Sequence, residues 1–175
     1  MESLQLSFDI DHKSFAEMDR FFMVSGEILQ HLKPMFEKFV PTIRKEVKDQ
    51  FKAEGNPKWK ALKASYLASQ TKMQSKFPMS ILKLSGKMWR AATSSTARGN
   101  ITSVTNDGVT YGIKLSVIPY AQLHNLGGKV SGRGKGYHMP KREYLKLTKD
   151  GVRRIVQKAH RFIRSEMRTG NVKFE

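Results

Sequence analysis

The segment with the clearest chemical character is a run of glycines and cations at residues 132–136, GRGKG. A phosphate-binding loop requires the spacing GxxxxGK[ST], and here Lys135 is followed by glycine. The dinucleotide fingerprint GxGxxG also fails, because the spacing in this segment is GxGxG. The surrounding residues 127–138, GGKVSGRGKGYH, therefore predict a mobile basic loop rather than a nucleotide site.

Groups that could perform acid–base or metal chemistry are sparse. Residues 51–175 hold only six carboxylates, which leaves little for a hydrolase that needs paired acids. The absence of cysteine excludes disulfides, thiolate zinc sites and cysteine nucleophiles. No two histidines have the i,i+4 spacing of a helical zinc motif; they are His12, His31, His124, His138 and His160. We therefore expect no enzymatic activity, no metal and no cofactor.

Aromatic side chains between cations offer a different chemistry, as in Lys58-Trp59-Lys60. Such side chains could stack on nucleic-acid bases. The interpretation that we favour is that Trp59 and Trp89 pack in the core or at a subunit interface, where aromatic residues are enriched. His124, in the segment YAQLHNLGG, is likewise expected to have a packing or capping role.

The 175-residue chain carries a net charge of +17, with a sequence pI near 10.2. Residues 1–50 sum to −2 and residues 51–175 to +19. Such an excess favours acidic partners, which could be nucleic acid, a membrane surface or an acidic protein face. The N-terminus lacks the pattern of a signal peptide, and no apolar run approaches the ~18 residues of a membrane span. We therefore expect a soluble protein that is made in the cytoplasm.

The N-terminal part predicts a strand followed by a long helical segment. Leu4, Leu6, Phe8 and Ile10 alternate with polar residues, as in a half-buried strand. Apolar residues then recur at helical spacing from about residue 14 to residue 54. Two prolines, at positions 34 and 41, should kink or divide this segment.

The remaining segments complete a predicted α+β fold. Residues 81–93 favour a helix, and residues 101–105 and 109–114 favour strands that Asn-Asp-Gly joins as a hairpin. Residues 120–126 should form a short helix that Gly127-Gly128 closes. A last amphipathic helix is predicted from Lys149 to about Met167, with this apolar side: Val152, Ile155, Val156, Ala159, Phe162 and Ile163.

The predicted architecture is thus a small antiparallel sheet with a hairpin, flanked by the long N-terminal helical segment and the C-terminal amphipathic helix. A near-neutral part, residues 1–54, precedes a basic α+β core, residues 55–175. A short helix near residues 60–68 could interrupt the otherwise irregular stretch 55–80. The length suits one compact domain overall.

Four segments, in order, resemble the phage virion morphogenesis family, which includes tail completion proteins of P2-like and Mu-like phages. They are Gly55-Asn-Pro57-Lys-Trp59-Lys-Ala-Leu62, Ile81-Leu82-Lys-Leu-Ser85-Gly86-Lys-Met88, Tyr120-Ala121-Gln-Leu-His124-Asn-Leu-Gly127-Gly128 and Met139-Pro140-Lys-Arg142-Glu-Tyr144-Leu145. The resemblance spans roughly residues 51–160. Glu143 replaces the family's usual proline and Tyr144 its phenylalanine, and neither is a catalytic position.

The resemblance implies a non-enzymatic structural protein of a tailed phage that acts in tail completion or at the head–tail junction, the neck. It implies a ring-forming subunit, with a hexamer matching tail symmetry as the expected size. The partners would be neck, tail or portal-side virion proteins, with contact to DNA passing through the neck. The alternative is a basic nucleic-acid-binding module, and a metal-dependent hydrolase is the least supported reading.

A ring subunit needs anchors for its neighbours and loops that become ordered on contact. Arg142 could form a bidentate contact with a carboxylate, which lysine could not duplicate. The candidate interface residues are Trp59, Trp89, Tyr120, His124, Gly127, Gly128, Arg133, Lys135, Pro140, Arg142 and Tyr144.

Overall fold

The computed structural model describes residues 3–6, 31–130 and 136–168. These residues form an α+β fold in which helices flank two small antiparallel sheets, which confirms the predicted fold class. The predicted N-terminal helical turns before residue 31 and the glycine-rich residues 131–135 lie outside the described residues, so Arg133 and Lys135 do too.

The first sheet has the strand order β1–β3–β2, with β1 at Ser3–Leu6, β2 at Asn100–Val104 and β3 at Val109–Lys114. Both pairings are antiparallel. The backbone N–H of Thr105 donates to the carbonyl of Gly108 at 3.0 Å and closes the turn between β2 and β3. The hairpin predicted at Asn-Asp-Gly is therefore confirmed.

In the described range that begins at residue 31, the first two helices are α1 at Lys33–Glu37 and α2 at Val40–Ala53. The two prolines fall within the first turn of these helices, one in each. Backbone N–H groups there have no acceptor within the helix, so proline removes no hydrogen bond. The predicted division of the helical segment is thus confirmed. Helix α2 ends where Glu54 adopts a left-handed conformation (φ 54°).

The stretch that follows contains two single-turn helices, α3 at Ala64–Leu67 and α4 at Gln70–Met73, and then α5 at Lys87–Thr93. The helix predicted at residues 81–93 therefore begins six residues later than predicted and ends at the predicted residue. Leu82 (φ 61°) has a left-handed backbone that a helix does not allow.

The C-terminal part contains α6 at Ala121–Leu126, β4 at Gly128–Val130, β5 at Tyr137–Met139 and α7 at Lys149–Arg168. Strands β4 and β5 pair antiparallel as the second sheet. The prediction of a mobile loop over residues 127–138 was therefore wrong at both ends of that segment. Glycine and lysine are poor strand formers, but the attachment of α6 to residues 139–145, described below, brings β4 and β5 side by side.

The core lies between α2, α5, α7 and the face of the first sheet. The Tyr111 hydroxyl is buried and donates to the carbonyl of Ala92 at 2.7 Å, which ties the sheet to α5. Val152 is 38% exposed, so its predicted place on the buried side of α7 was wrong. The main buried apolar side chains of the helices are Ile43, Val47, Phe51, Met88, Ala91, Ile155, Ala159, Phe162 and Ile163.

A buried carboxylate joins α2 to the start of α7. Glu46 is 3% exposed and accepts hydrogen bonds from the Thr148 backbone N–H (3.1 Å) and hydroxyl (2.5 Å). Arg154 supplies an ion pair from the next turn of α7. A Cβ on Gly151 would lie 2.6 Å from this carboxylate, so the close approach of the two helices requires glycine there.

Replacing Glu46 with glutamine is expected to lower the free energy of unfolding by about 2 kcal/mol, because charge-assisted hydrogen bonds are lost in a buried place. The matched control is Asp49→Asn on the same helix. Asp49 forms only an exposed pair with Lys45, and its loss should cost less than about 1 kcal/mol. Urea unfolding followed by circular dichroism measures both values. Equal losses would show that Glu46 is not a specific clamp.

Candidate assembly surface

Helix α6 is fixed by buried hydrogen bonds to the segment before α7. The side-chain oxygen of Asn125 accepts from the backbone N–H groups of Tyr144 (3.0 Å) and Leu145 (3.1 Å). The Tyr144 hydroxyl donates back to the carbonyl of Ala121 at 2.9 Å. Burial raises the pKa of this hydroxyl, so it stays protonated and remains a donor. Both ends of α6 are therefore held against residues 144 and 145.

Arg142 extends this attachment to a distant part of the chain. Its guanidinium donates to the Lys60 carbonyl from two nitrogens, at 3.0 and 3.3 Å, and its backbone N–H donates to the His124 carbonyl at 3.1 Å. A third guanidinium nitrogen lies 3.7 Å from the Met139 sulfur at the end of β5. The side chain, expected to reach a carboxylate of a neighbour, is instead 5% exposed and bound to a carbonyl of its own subunit.

An aromatic contact completes the attachment. The ring of Phe51, at the end of α2, packs against Trp59 (centroids 5.8 Å apart) and Tyr144 (5.3 Å). A Cβ on Gly55 would lie 2.4 Å from the Trp59 ring, so glycine is needed for this turn to close over the indole. Trp59 and Tyr144 were predicted as interface candidates, and both are buried in the subunit because they face Phe51.

Several exposed apolar side chains lie on or next to the segments that form this centre. Tyr120 and Leu126 bracket α6, and Tyr137 lies on β5; their side chains are 42%, 52% and 57% exposed. Tyr66 is 40% exposed and lies close enough to Arg142 to oppose the lowering of the guanidinium pKa by burial. We call these four residues the tyrosine face.

Four other predicted candidates lie in the described residues but are not part of the tyrosine face. Gly127 (φ +73°) is next to β4, and its Cβ would lie 2.8 Å from the Lys141 backbone nitrogen, so no larger residue fits. Gly128 (φ +145°) and the half-buried Pro140 flank the same junction. Trp89 is half-buried on α5 and packs against Phe77, apart from α6.

Among residues 3–6, 31–130 and 136–168, no group of three potential ligands could hold a metal ion. No helix within these ranges is long and apolar enough to cross a membrane.

Comparison with known families bears on this arrangement. The model of the Phage virion morphogenesis family matches residues 17–163, which is most of the chain. The chain belongs to this family. Membership confirms the predicted resemblance. It indicates that the protein has a structural or assembly role in a phage and is associated with the virion. No curated protein and no solved structure gave a match.

Three of the four segments that carry the family resemblance meet in one place in the fold. The first supplies Trp59 and the Lys60 carbonyl, the third supplies α6, and the fourth supplies Arg142 and Tyr144. The second is held beside the first, because the Ile81 backbone N–H donates at 3.1 Å to the carboxylate of Glu54, the residue just before the first segment. The spacing of these segments along the chain therefore reflects how this centre is built.

Two residues of this centre, Asn125 and Phe51, were not among the candidates predicted from the sequence. Asn125 could have been identified as a buried amide, since it stands at a helical position next to apolar residues in the third segment. In the sequence, Phe51 is only the last of the apolar residues that recur at helical spacing before residue 54. No sequence pattern shows that Trp59 and Tyr144 pack against it.

His124 is the titratable group of this centre. Its Nδ1 is buried and has no hydrogen-bond partner within the described part of the chain, and its ring packs edge-on against Tyr120 at 5.8 Å. Burial, and then the charge of Arg142, lower its pKa below the ordinary value. The folded protein therefore favours the neutral imidazole.

Because the unfolded chain binds a proton near pH 6.5 and the folded chain only at lower pH, stability should fall as pH drops from about 6.5 towards the folded pKa. His124→Phe keeps the ring and removes the titration, so this variant should lose less stability between pH 7.5 and pH 5 than the parent. His138→Phe, at an exposed position, is the control. Urea unfolding at both pH values measures the difference, and equal losses in parent and His124→Phe would contradict the assignment.

Proposed function

We propose that this member of the phage virion morphogenesis family is a non-enzymatic structural subunit that acts in tail completion or at the head–tail junction. It forms a closed ring, with a hexamer as the expected size, in the neck or tail of the virion. The observation that carries the proposal is the tyrosine face, a set of exposed apolar side chains on a support that buried hydrogen bonds hold in place.

Several properties of the face suit a subunit contact. Tyrosine is enriched at interfaces because it buries a large apolar ring while its hydroxyl can still find a hydrogen-bond partner. The backbone beneath Tyr120 and Leu126 is held by Asn125 and Tyr144, so little conformational entropy is lost on association. In a ring the contact is heterologous, so the face meets a different surface of the next subunit.

The charge of the chain supports the choice of partners. Subunits that each carry +17 repel one another overall, and buried apolar area is a source of attraction that this net charge does not oppose. The same charge suits DNA passing through the neck and the acidic surfaces of portal-side or tail proteins, which are the further partners that we propose.

Light scattering on the purified protein tests ring formation. We expect a discrete oligomer for the parent, and for the double variant Tyr120→Ser, Tyr137→Ser a dissociation constant raised at least tenfold, about 1.4 kcal/mol. Circular dichroism should show that the fold is kept, because both side chains lie at the surface. Val152→Ser removes a comparable exposed side chain on α7 and is the control.

A monomer at all concentrations, with mass that changes only when DNA is added and returns at higher salt, would overturn the ring and favour the nucleic-acid-binding alternative. Oligomers that both variants leave intact would place the subunit contact elsewhere.

A further inference from the structure

A second surface, separate from the tyrosine face, is a basic cleft. It is open to solvent, has a volume of about 510 Å³, and lies between the end of α2, the turn after it and the residues around the start of α5. That volume falls within the range of ordinary ligand clefts. Its lining residues are Lys48, Phe51, Lys52, Glu54, Lys58, Ser80, Lys83 and Trp89.

The walls of the cleft are fixed by local contacts. The Glu54 carboxylate accepts from the Ile81 backbone N–H, which holds the two sides together. Lys58 donates to the Ala53 carbonyl at 2.6 Å, which secures the turn after α2. The Lys83 ammonium lies 5.3 Å from the centroid of the Trp89 ring. The cleft therefore has a defined shape in the free subunit.

Its charge is unbalanced. Four lysines face one glutamate, and that glutamate is already engaged with a backbone N–H. Among the described residues, none of the four lysines takes part in a salt bridge. Clustered ammonium groups around an apolar floor attract an anion that also carries apolar surface.

We propose that the basic cleft binds an acidic segment of a partner protein, in which one aliphatic side chain packs beside the half-buried Trp89 while flanking carboxylates meet the lysines. The charge complementarity and the concave, apolar floor carry this choice. Nucleic acid fits less well, because a stacked base needs a free ring face. Lys83 covers the Trp89 ring, and Phe51 is 2% exposed.

A fluorescently labelled peptide, acetyl-Asp-Glu-Leu-Asp-Glu-amide, is the probe, and anisotropy at low salt measures its binding to the full chain. We expect Lys48→Gln combined with Lys52→Gln to weaken binding at least tenfold. The control, Lys149→Gln combined with Arg161→Gln, makes the same change in charge at exposed positions that do not line the cleft, and should change binding by less than twofold. Replacing the leucine of the peptide by serine should weaken binding at least fivefold.

Other outcomes would overturn the proposal. No binding, equal weakening in both double variants, or equal binding of the serine peptide would show that no specific cleft site exists. Tighter binding of a single-stranded thymidine oligomer, lost in the Lys48, Lys52 variant, would assign the cleft to nucleic acid. A change in oligomeric mass of that variant without peptide would assign it to a second copy of the chain. The tyrosine-face variants leave the cleft intact, so the ring proposal can fail independently.

Discussion

The contact of Phe51 with Trp59 and Tyr144 is the interaction on which the described structure depends most. It brings together the end of α2, the turn after it and the segment before α7, which are far apart in the chain. Aromatic side chains bury large apolar areas, so three in contact stabilise a junction that no single helix or strand provides. The cleft and the tyrosine face are both built outward from this junction.

Buried polar groups make the same junction specific. The guanidinium of Arg142 and the amide of Asn125 are buried and bound to backbone groups at fixed positions, and Glu46 does the same between α2 and α7. A displaced arrangement would leave these groups unsatisfied in a medium of low polarity, which is costly. The surfaces that lie above them therefore have a defined shape before any partner binds.

The excess of positive charge has a different effect. Most cations lie on the outside, where water screens them, and the salt bridges among the described residues are mainly exposed pairs of little energetic value. Few of these cations are therefore used in buried contacts of the fold, and most of the positive charge stays exposed at the surface. The apolar contact that we propose for a neighbouring subunit and the charge that we propose for acidic partners thus use different surfaces.

The sequence by itself determined the elements whose cause is local: the hairpin at Asn-Asp-Gly, the two helices with a proline in their first turn, and the amphipathic α7. It also indicated the family, through four motifs in a fixed order. Tertiary structure alone decided the start of α5, the pairing of β4 with β5, and the burial of Trp59, Arg142 and Tyr144. The physical reason is distance along the chain. Arg142 binds a carbonyl 82 residues away, and Thr148 binds a carboxylate 102 residues away. Periodicity and turn residues report neighbours in sequence, whereas these contacts exist only once the whole core has packed.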